Sequence, residues 1–236
     1  MKLKEFKLNL STIILCGGKG KRLLPLTRTT PKPLIKIKNK EILFYIIEHL
    51  LGSQINEILL SVGSQKNSFN NFVRKKKIHK SVSLINTGLN SDIIKRIVNC
   101  ENKLKKYVLV CYGDTLVDIN LNNLIKFFNK NPNKFIFSAY KYQSNFGLLK
   151  INKKGNVNYF KEKPNLGYLF NIGFFLFKKD YIKKLKKFVS FRSFLENKKM
   201  IKQFKVFQHT GKHITVNTFN ELLEAKKNIK NLRRYE

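Results

Sequence analysis

An apolar run, Ile13-Ile14-Leu15, ends at Cys16 and breaks into Gly17-Gly18-Lys19-Gly20-Lys21-Arg22. A little further on, Lys32 stands between Pro31 and Pro33. No other stretch restricts the fold as much. A buried strand that runs into three glycines within four positions must turn sharply there. Glycine lets backbone N–H groups face an oxyanion with no Cβ in the way. Proline fixes φ, so Pro31 and Pro33 hold the backbone of Lys32 stiff. A positioned cation suits phosphoryl chemistry, where charge must be met as it develops. Strand, turn and cations together describe a cradle for a polyphosphate. A tight structural turn explains the glycines by themselves, but not Arg22 and Lys32 beside them. The spacing differs from the P-loop, which places its lysine directly after the last glycine. It also differs from the dinucleotide fingerprint, because no acidic residue follows at the required distance.

Along the chain, apolar runs alternate with helix-like segments. Strands are expected at Ser11–Cys16, Glu57–Val62, Val82–Asn86 and Tyr107–Tyr112. Helices are expected at Glu41–Leu51, Ser68–Lys75, Asp92–Leu104 and Asn122–Asn129. That alternation predicts an α/β fold. Beyond residue 130 the pattern becomes antiparallel, with strands at Lys134–Tyr142, Phe146–Ile151, Asn156–Lys161 and Leu169–Lys178. Lys153-Lys154-Gly155-Asn156 is the hairpin turn between the middle two. Helices follow near Asp180–Lys187 and Phe191–Lys199, then short strands at Phe204–Gln208 and Ile214–Val216. Thr218-Phe219-Asn220-Glu221 is a capping box that opens a last helix. The expected architecture is a Rossmann-like three-layer α/β/α single domain over residues 1–236. Its nucleotide-binding half runs from about 8 to 130, and its antiparallel second-substrate half from about 131 to 230. The basic N-terminus, Met1 to Lys7, is superficially like a secretory leader. It lacks a small-residue cleavage site and leads straight into the glycine turn, so it reads as strand.

At 236 residues the chain can bury a substantial core, and 42% hydrophobic content with 20 phenylalanines excludes disorder. No apolar run is long enough to span a bilayer, which excludes membrane insertion. The three cysteines, an odd number at scattered positions, form neither a disulfide framework nor a zinc pattern. The cytoplasm follows as the default compartment. The formal charge is +34. It fits a nucleic-acid surface, a basin for small anions, or drift toward residues with A/T-rich codons. No helix-turn-helix, zinc-finger or RNP-type motif accompanies the charge, which argues against nucleic acid as a partner.

The glycine turn followed by Pro31-Lys32-Pro33-Leu34 resembles the signature of the sugar-1-phosphate nucleotidylyltransferases. The resemblance continues in register from Ser11 to about Ala225. It implies an NTP and a sugar 1-phosphate as substrates and pyrophosphate as a product. By this resemblance Arg22 and Lys32 are the catalytic cations. Cys16, Gly17, Gly18, Gly20, Lys21 and Gly113 line the nucleotide. Asp114, in Tyr112-Gly113-Asp114-Thr115, matches the metal-binding Gly-Asp and implies Mg²⁺. Gly147, Glu162, Lys163 and Asn171, from Phe146-Gly147, Glu162-Lys163-Pro164 and Asn171-Ile172-Gly173, match the sugar-phosphate side. Each is an ordinary turn or strand residue in isolation; their order and spacing carry the assignment. Leu84 to Ser91, with its Thr87-Gly88, then Ile94-Lys95-Arg96-Ile97, Tyr112-Gly113-Asp114 and Asp118-Ile119-Asn120, look most like a glucose-1-phosphate cytidylyltransferase. A mannose- or heptose-1-phosphate guanylyltransferase is the alternative within the family. Three departures stand out. The Thr-Gly-Gly of the base-selecting loop is replaced by Asp92-Ile93-Ile94. Lys21 replaces a usual threonine. Asn217 replaces the aspartate that is the second metal carboxylate. Asn217 motivates another expectation, a weakened homologue that binds nucleotide or sugar phosphate as a regulatory subunit. The oligomeric state is left open.

Overall fold

A computed structural model of the chain describes residues 1–18, 20–63 and 65–232. Its centre is a seven-stranded sheet in the order Phe204–Gln208, Phe135–Gln143, Asn165–Lys178, Tyr107–Tyr112, Leu10–Leu15, Ile58–Val62, Val82–Asn86. Neighbouring strands run parallel except Asn165–Lys178, which is antiparallel to both of its neighbours.

Strand residues alternate between two cores, and this is what makes three layers. Ile14, Leu60, Leu109, Cys111, Phe174 and Leu176 point to one face. Ile13, Leu59, Val108, Val110, Phe175 and Phe177 point to the other. Both faces are apolar because both are covered, as parallel sheets require. Helices Ile42–Gly52, Lys66–Lys75, Leu121–Lys130 and Phe219–Asn228 bury their apolar stripes on the first face. Helices Ile93–Val98, Tyr181–Leu185, Phe191–Leu195 and Lys198–Ile201 cover the second. Many of the phenylalanines are spent on that second face. Phe135 stacks on Phe177 with centroids 4.7 Å apart and meets Phe194 edge-on at 5.4 Å. Among the described residues, no helix is long and apolar enough to cross a membrane.

The fold departs from the sequence expectation in three places. The N-terminus is a helix, Leu3–Leu8, not a strand. One side chain decides this: Phe6 is fully buried, stacked on Tyr107 at 4.1 Å and edge-on to Phe128 at 5.6 Å. The segment expected as one helix over Asp92–Leu104 is a short helix, Ile93–Val98, and a 3₁₀ turn, Glu101–Lys103. The turn brings Leu104 into the core that already holds Cys100. Phe191–Lys199 is also two pieces, because the Asn197 side chain accepts from Lys199 N and Met200 N and starts a new helix.

Among the described residues, three small two-stranded sheets lie outside the main one. Two of them concern the site. Thr115–Val117 pairs with His213–Thr215, and Leu148–Ile151 pairs with Val157–Lys161.

Candidate active site

The glycine turn leaves the C-terminal end of Leu10–Leu15, the sheet edge where α/β folds place ligands. Its glycines have different reasons to be glycine. Gly20 has φ +62°, and a Cβ there would lie 2.7 Å from Thr27 Cγ2. Gly18 is exposed, and among the described residues nothing beyond its chain neighbours lies within 4 Å of where its Cβ would be. At Gly17 a Cβ would overlap the Arg96 guanidinium. Gly113 closes the turn from behind. Its N–H donates to Leu15 O at 3.1 Å, and a Cβ would stand 2.7 Å from that oxygen and 3.3 Å from Pro33. Cys16 is buried, and burial, with the Asp114 charge adding, pushes its thiol pKa up. Lys21 and Arg22 open a 3₁₀ turn, Lys21–Leu23, and both are exposed.

Four side chains from distant parts of the chain converge beside this turn. Lys32 Nζ donates to Asp114 Oδ2 at 2.5 Å and to Asn217 Oδ1 at 2.7 Å. Arg22 Nη2 donates to the same Asn217 oxygen at 3.3 Å. The Lys32 side chain is 11% exposed and Asp114 is 30% exposed, so the group sits at the mouth of the site rather than beneath it. Local structure sets each member. Lys32 begins a 3₁₀ turn, Lys32–Leu34, with Pro31 before it and Pro33 inside it. Asp114 follows the Tyr107–Tyr112 strand.

Asn217 is held by two devices. The His213–Thr215 strand pairs with Thr115–Val117, and Val216 N donates to Asp114 O at 3.2 Å. On the other side, Asn217 N donates to the Glu221 carboxylate. The expected capping box is therefore redistributed. Thr218 caps Glu221 N, but Glu221 grips Asn217 instead of its own cap. A buried clamp fixes the register of the small sheet. Asp118 Oδ1 accepts from Lys212 N at 2.5 Å and lies 3.1 Å from His209 Nε2. The next residue, His213, stacks on Tyr140 at 5.8 Å and meets Phe170 edge-on at 5.0 Å. Burial, then the nearby His209, lowers the His213 pKa to about 4 from 6.5. A base whose folded pKa is depressed takes up more protons unfolded than folded. His213 therefore contributes stability above pH 6.5 that is lost as pH falls toward 4. His213→Phe keeps the stacking. It is expected to flatten the fall in melting temperature between pH 6.5 and 4, and an unchanged slope would contradict this.

The other half of the expected site is less closely tied. Asn171 Oδ1 accepts from Gly173 N at 2.8 Å, at a bulge where Asn165–Lys178 slips register against Phe135–Gln143. Asn171 also bonds the Tyr112 hydroxyl, whose pKa burial pushes to about 12. Gly173 has φ +76°, and a Cβ there would overlap the Tyr112 ring. Gly173→Ala is expected to lower stability by about 2–3 kcal/mol by strain and overpacking, measured by urea unfolding. Full stability would mean that the bulge reforms around the methyl. Gly147 and Glu162 meet on the exposed ribbon, where a Cβ at Gly147 would be 2.7 Å from Glu162 Oε2. Lys163 has φ 44°, and its carbonyl accepts from Gln143 Nε2. Among the described residues, no hydrogen bond or ion pair joins Glu162 or Lys163 to the Lys32 group.

Arg96 belongs to a stretch that carries the resemblance but has no site role among the sequence expectations. It is buried, at 6% exposed, and donates to Gly17 O. A Lys-Arg pair on a helix gives no local sign that one of its members is buried, so spacing alone does not reveal that contact. The Asp118–Lys212 clamp is likewise a contact across 94 positions that spacing does not reveal.

The family model for nucleotidyl transferases matches residues 11–221. A Bacillus subtilis (strain 168) protein named "Probable glucose-1-phosphate cytidylyltransferase" is 27% identical over 243 residues, covering 92% of this chain and 95% of that relative. A "Bifunctional protein GlmU" of Methanocaldococcus jannaschii is 28% identical over 180 residues. That match covers 75% of this chain but only 42% of the relative. The crystal structure of UDP-glucose pyrophosphorylase complexed with UDP-glucose superposes with a TM-score of 0.74 at 18% identity. It covers 95% of this chain and 99% of that one, and shows the same fold. The family match takes in the glycine turn, Lys32, Asp114 and Asn217 together, and the chain belongs to the nucleotidyl transferase family.

Proposed function

We propose that this protein joins a nucleoside triphosphate to a sugar 1-phosphate, giving a nucleotide sugar and pyrophosphate. The observation that carries this reading is the meeting of Arg22, Lys32, Asp114 and Asn217 beside an open glycine turn. An oxygen of the sugar 1-phosphate attacks the α-phosphorus. The bond from that phosphorus to the β-bridging oxygen breaks, and pyrophosphate leaves with the electron pair. Both phosphates are ionised at neutral pH, so the protein moves no proton; its part is positioning and charge neutralisation. Gly17, Gly18, Gly20 and Lys21 hold the triphosphate, with Cys16 and Gly113 packing the turn from behind. Arg22 steadies the leaving pyrophosphate. The Lys32 ammonium leaves Asp114 to meet charge on the α-phosphate. Glu162 accepts from sugar hydroxyls, Lys163 meets the sugar phosphate, and Gly147 and Asn171 shape its pocket.

The residues present fit one Mg²⁺. The Lys32 ammonium rests between Asp114 Oδ2 and Asn217 Oδ1, which marks a point where a cation is stabilised. One carboxylate and one amide oxygen, completed by phosphate oxygens, is a donor set that Mg²⁺ accepts. Held by Asp114 and Asn217, Mg²⁺ would neutralise charge on the reacting phosphates. Asn217 brings no charge, and Lys32 already balances Asp114. The free protein should therefore bind Mg²⁺ weakly and take it up with the triphosphate. Asn217→Asp is expected to lower the half-saturating Mg²⁺ concentration by about tenfold, equivalent to roughly 1.4 kcal/mol. An unchanged midpoint would mean that position 217 is not a cation ligand.

Cytidine is the favoured base, because the cytidylyltransferase relative matches over nearly its whole length. A nucleotide sugar suits the supply of polysaccharide precursors in the cytoplasm, where triphosphates are available. The second reading, a binding subunit with little turnover, rests on the neutral Asn217. Pyrophosphate release measured with CTP, UTP, dTTP, GTP and ATP against glucose and mannose 1-phosphates separates the readings. The highest kcat/KM is expected with CTP and glucose 1-phosphate. Preference for GTP with mannose 1-phosphate would point to the guanylyl type. Nucleotide binding without turnover would favour the binding subunit.

A further inference from the structure

We infer that Arg96 is a positioning residue that locks the glycine turn to the loop after Val82–Asn86 and so sets how the nucleotide seats. The inference rests on the proposed binding of a nucleoside triphosphate at that turn. Arg96 lies on the Ile93–Val98 helix and is 6% exposed. Its guanidinium donates to three places at the C-terminal edge of the sheet. Nη2 donates to Gly17 O at 2.8 Å and to Leu89 O at 3.3 Å, and Nη1 donates to Thr87 Oγ1 at 2.9 Å. Thr87 Oγ1 in turn donates to Val62 O at 3.0 Å and lies 3.1 Å from Ser61 Oγ. One side chain thus ties together the ends of three neighbouring strands, Leu10–Leu15, Ile58–Val62 and Val82–Asn86.

The packing shows how tight this tie is. A Cβ at Gly17 would overlap the guanidinium, so Gly17 is glycine for Arg96, whereas Gly18 beside it is exposed. A Cβ at Gly63 would stand 3.1 Å from Gly17 O and 3.3 Å from Gly88 O, which places the three loops against one another.

The charge is the unusual part. Among the described residues no carboxylate lies within ion-pair distance of Arg96. The nearby Asp92 spends its Oδ1 capping Ile94 N and Phe191 N. A buried cation without a carboxylate partner has its desolvation offset by hydrogen bonds to neutral acceptors alone. A residue kept for the fold alone would not need this charge. A charge held against the glycine turn proposed to seat the triphosphate, and bonded to the loop after Val82–Asn86, serves an anionic ligand. Its counter-charge arrives with that ligand.

Arg96→Met separates the two roles, because methionine fills the space without the charge or the donors. Calorimetric titration with the NTP panel and with glucose 1-phosphate, together with a melting curve, reads both. The expected result is a modestly lowered melting temperature, because Gly17 O, Leu89 O and Thr87 Oγ1 lose their donor. Affinity for the preferred NTP should weaken about tenfold or more, as a displaced site element does, with glucose 1-phosphate affinity unchanged. Gly17→Ala should lower the melting temperature. Gly17→Ala with Arg96→Met should bring it back to that of Arg96→Met alone without restoring nucleotide affinity. Wild-type NTP affinity in Arg96→Met would overturn the inference. So would a lowered melting temperature with NTP and sugar-phosphate affinity weakened alike. If the wild-type protein itself binds no NTP, the proposed function fails first.

Discussion

Lys32→Ala is expected to lower kcat by about 10²–10³-fold, the usual loss when one preorganised charge is removed from a developing transition-state charge. The fold should survive. The Lys32–Asp114 pair is partly exposed, and removing the lysine returns Asp114 to water instead of stranding it in the core. A second effect runs the other way. In the free protein Lys32 occupies the point between Asp114 Oδ2 and Asn217 Oδ1. Emptying that point should tighten the binding of Mg²⁺ alone, because the ammonium no longer competes for the carboxylate. Turnover measured under saturating substrate, with Mg²⁺ titrated calorimetrically onto the free variant, reads both effects. Undiminished turnover would refute the role of Lys32. Unchanged Mg²⁺ affinity would refute the competition.

Asp114→Asn is expected to lower kcat by a similar order, about 10²–10³-fold, through a different failure. It removes the one carboxylate of the Lys32 group and leaves two amide oxygens facing the lysine. The half-saturating Mg²⁺ concentration should rise steeply. Lys32→Ala and Asp114→Asn touch the same point, so the double variant should lose much less than the product of the single losses. A wild-type Mg²⁺ midpoint in Asp114→Asn would place the cation elsewhere. Fully additive losses would show that the two residues act independently.

The parts of this account readable from sequence are those fixed by local chemistry. Alternating apolar strands and helical stripes mark the sheet and its two covers, because period and burial are local properties. Gly20 needs its glycine for backbone conformation, and Pro31 and Pro33 frame Lys32, all within one short stretch. The convergence of Lys32 with Asp114 and Asn217 spans 82 and 185 positions and is a property of topology. Only the ordered resemblance of several motifs pointed to it. The contact of Arg96 with the glycine turn escaped, since a helical Lys-Arg pair looks solvated until the turn it lies against is in place. The N-terminal helix escaped for a related reason: one buried ring, Phe6, settles it, and its partners Tyr107 and Phe128 are far along the chain.

The most direct test of the central claim is product stoichiometry. Wild-type protein with Mg²⁺, CTP and glucose 1-phosphate should release one pyrophosphate for each nucleotide sugar formed, with both products lost together in Lys32→Ala. Pyrophosphate without nucleotide sugar, or the same yield from Lys32→Ala, would contradict the account.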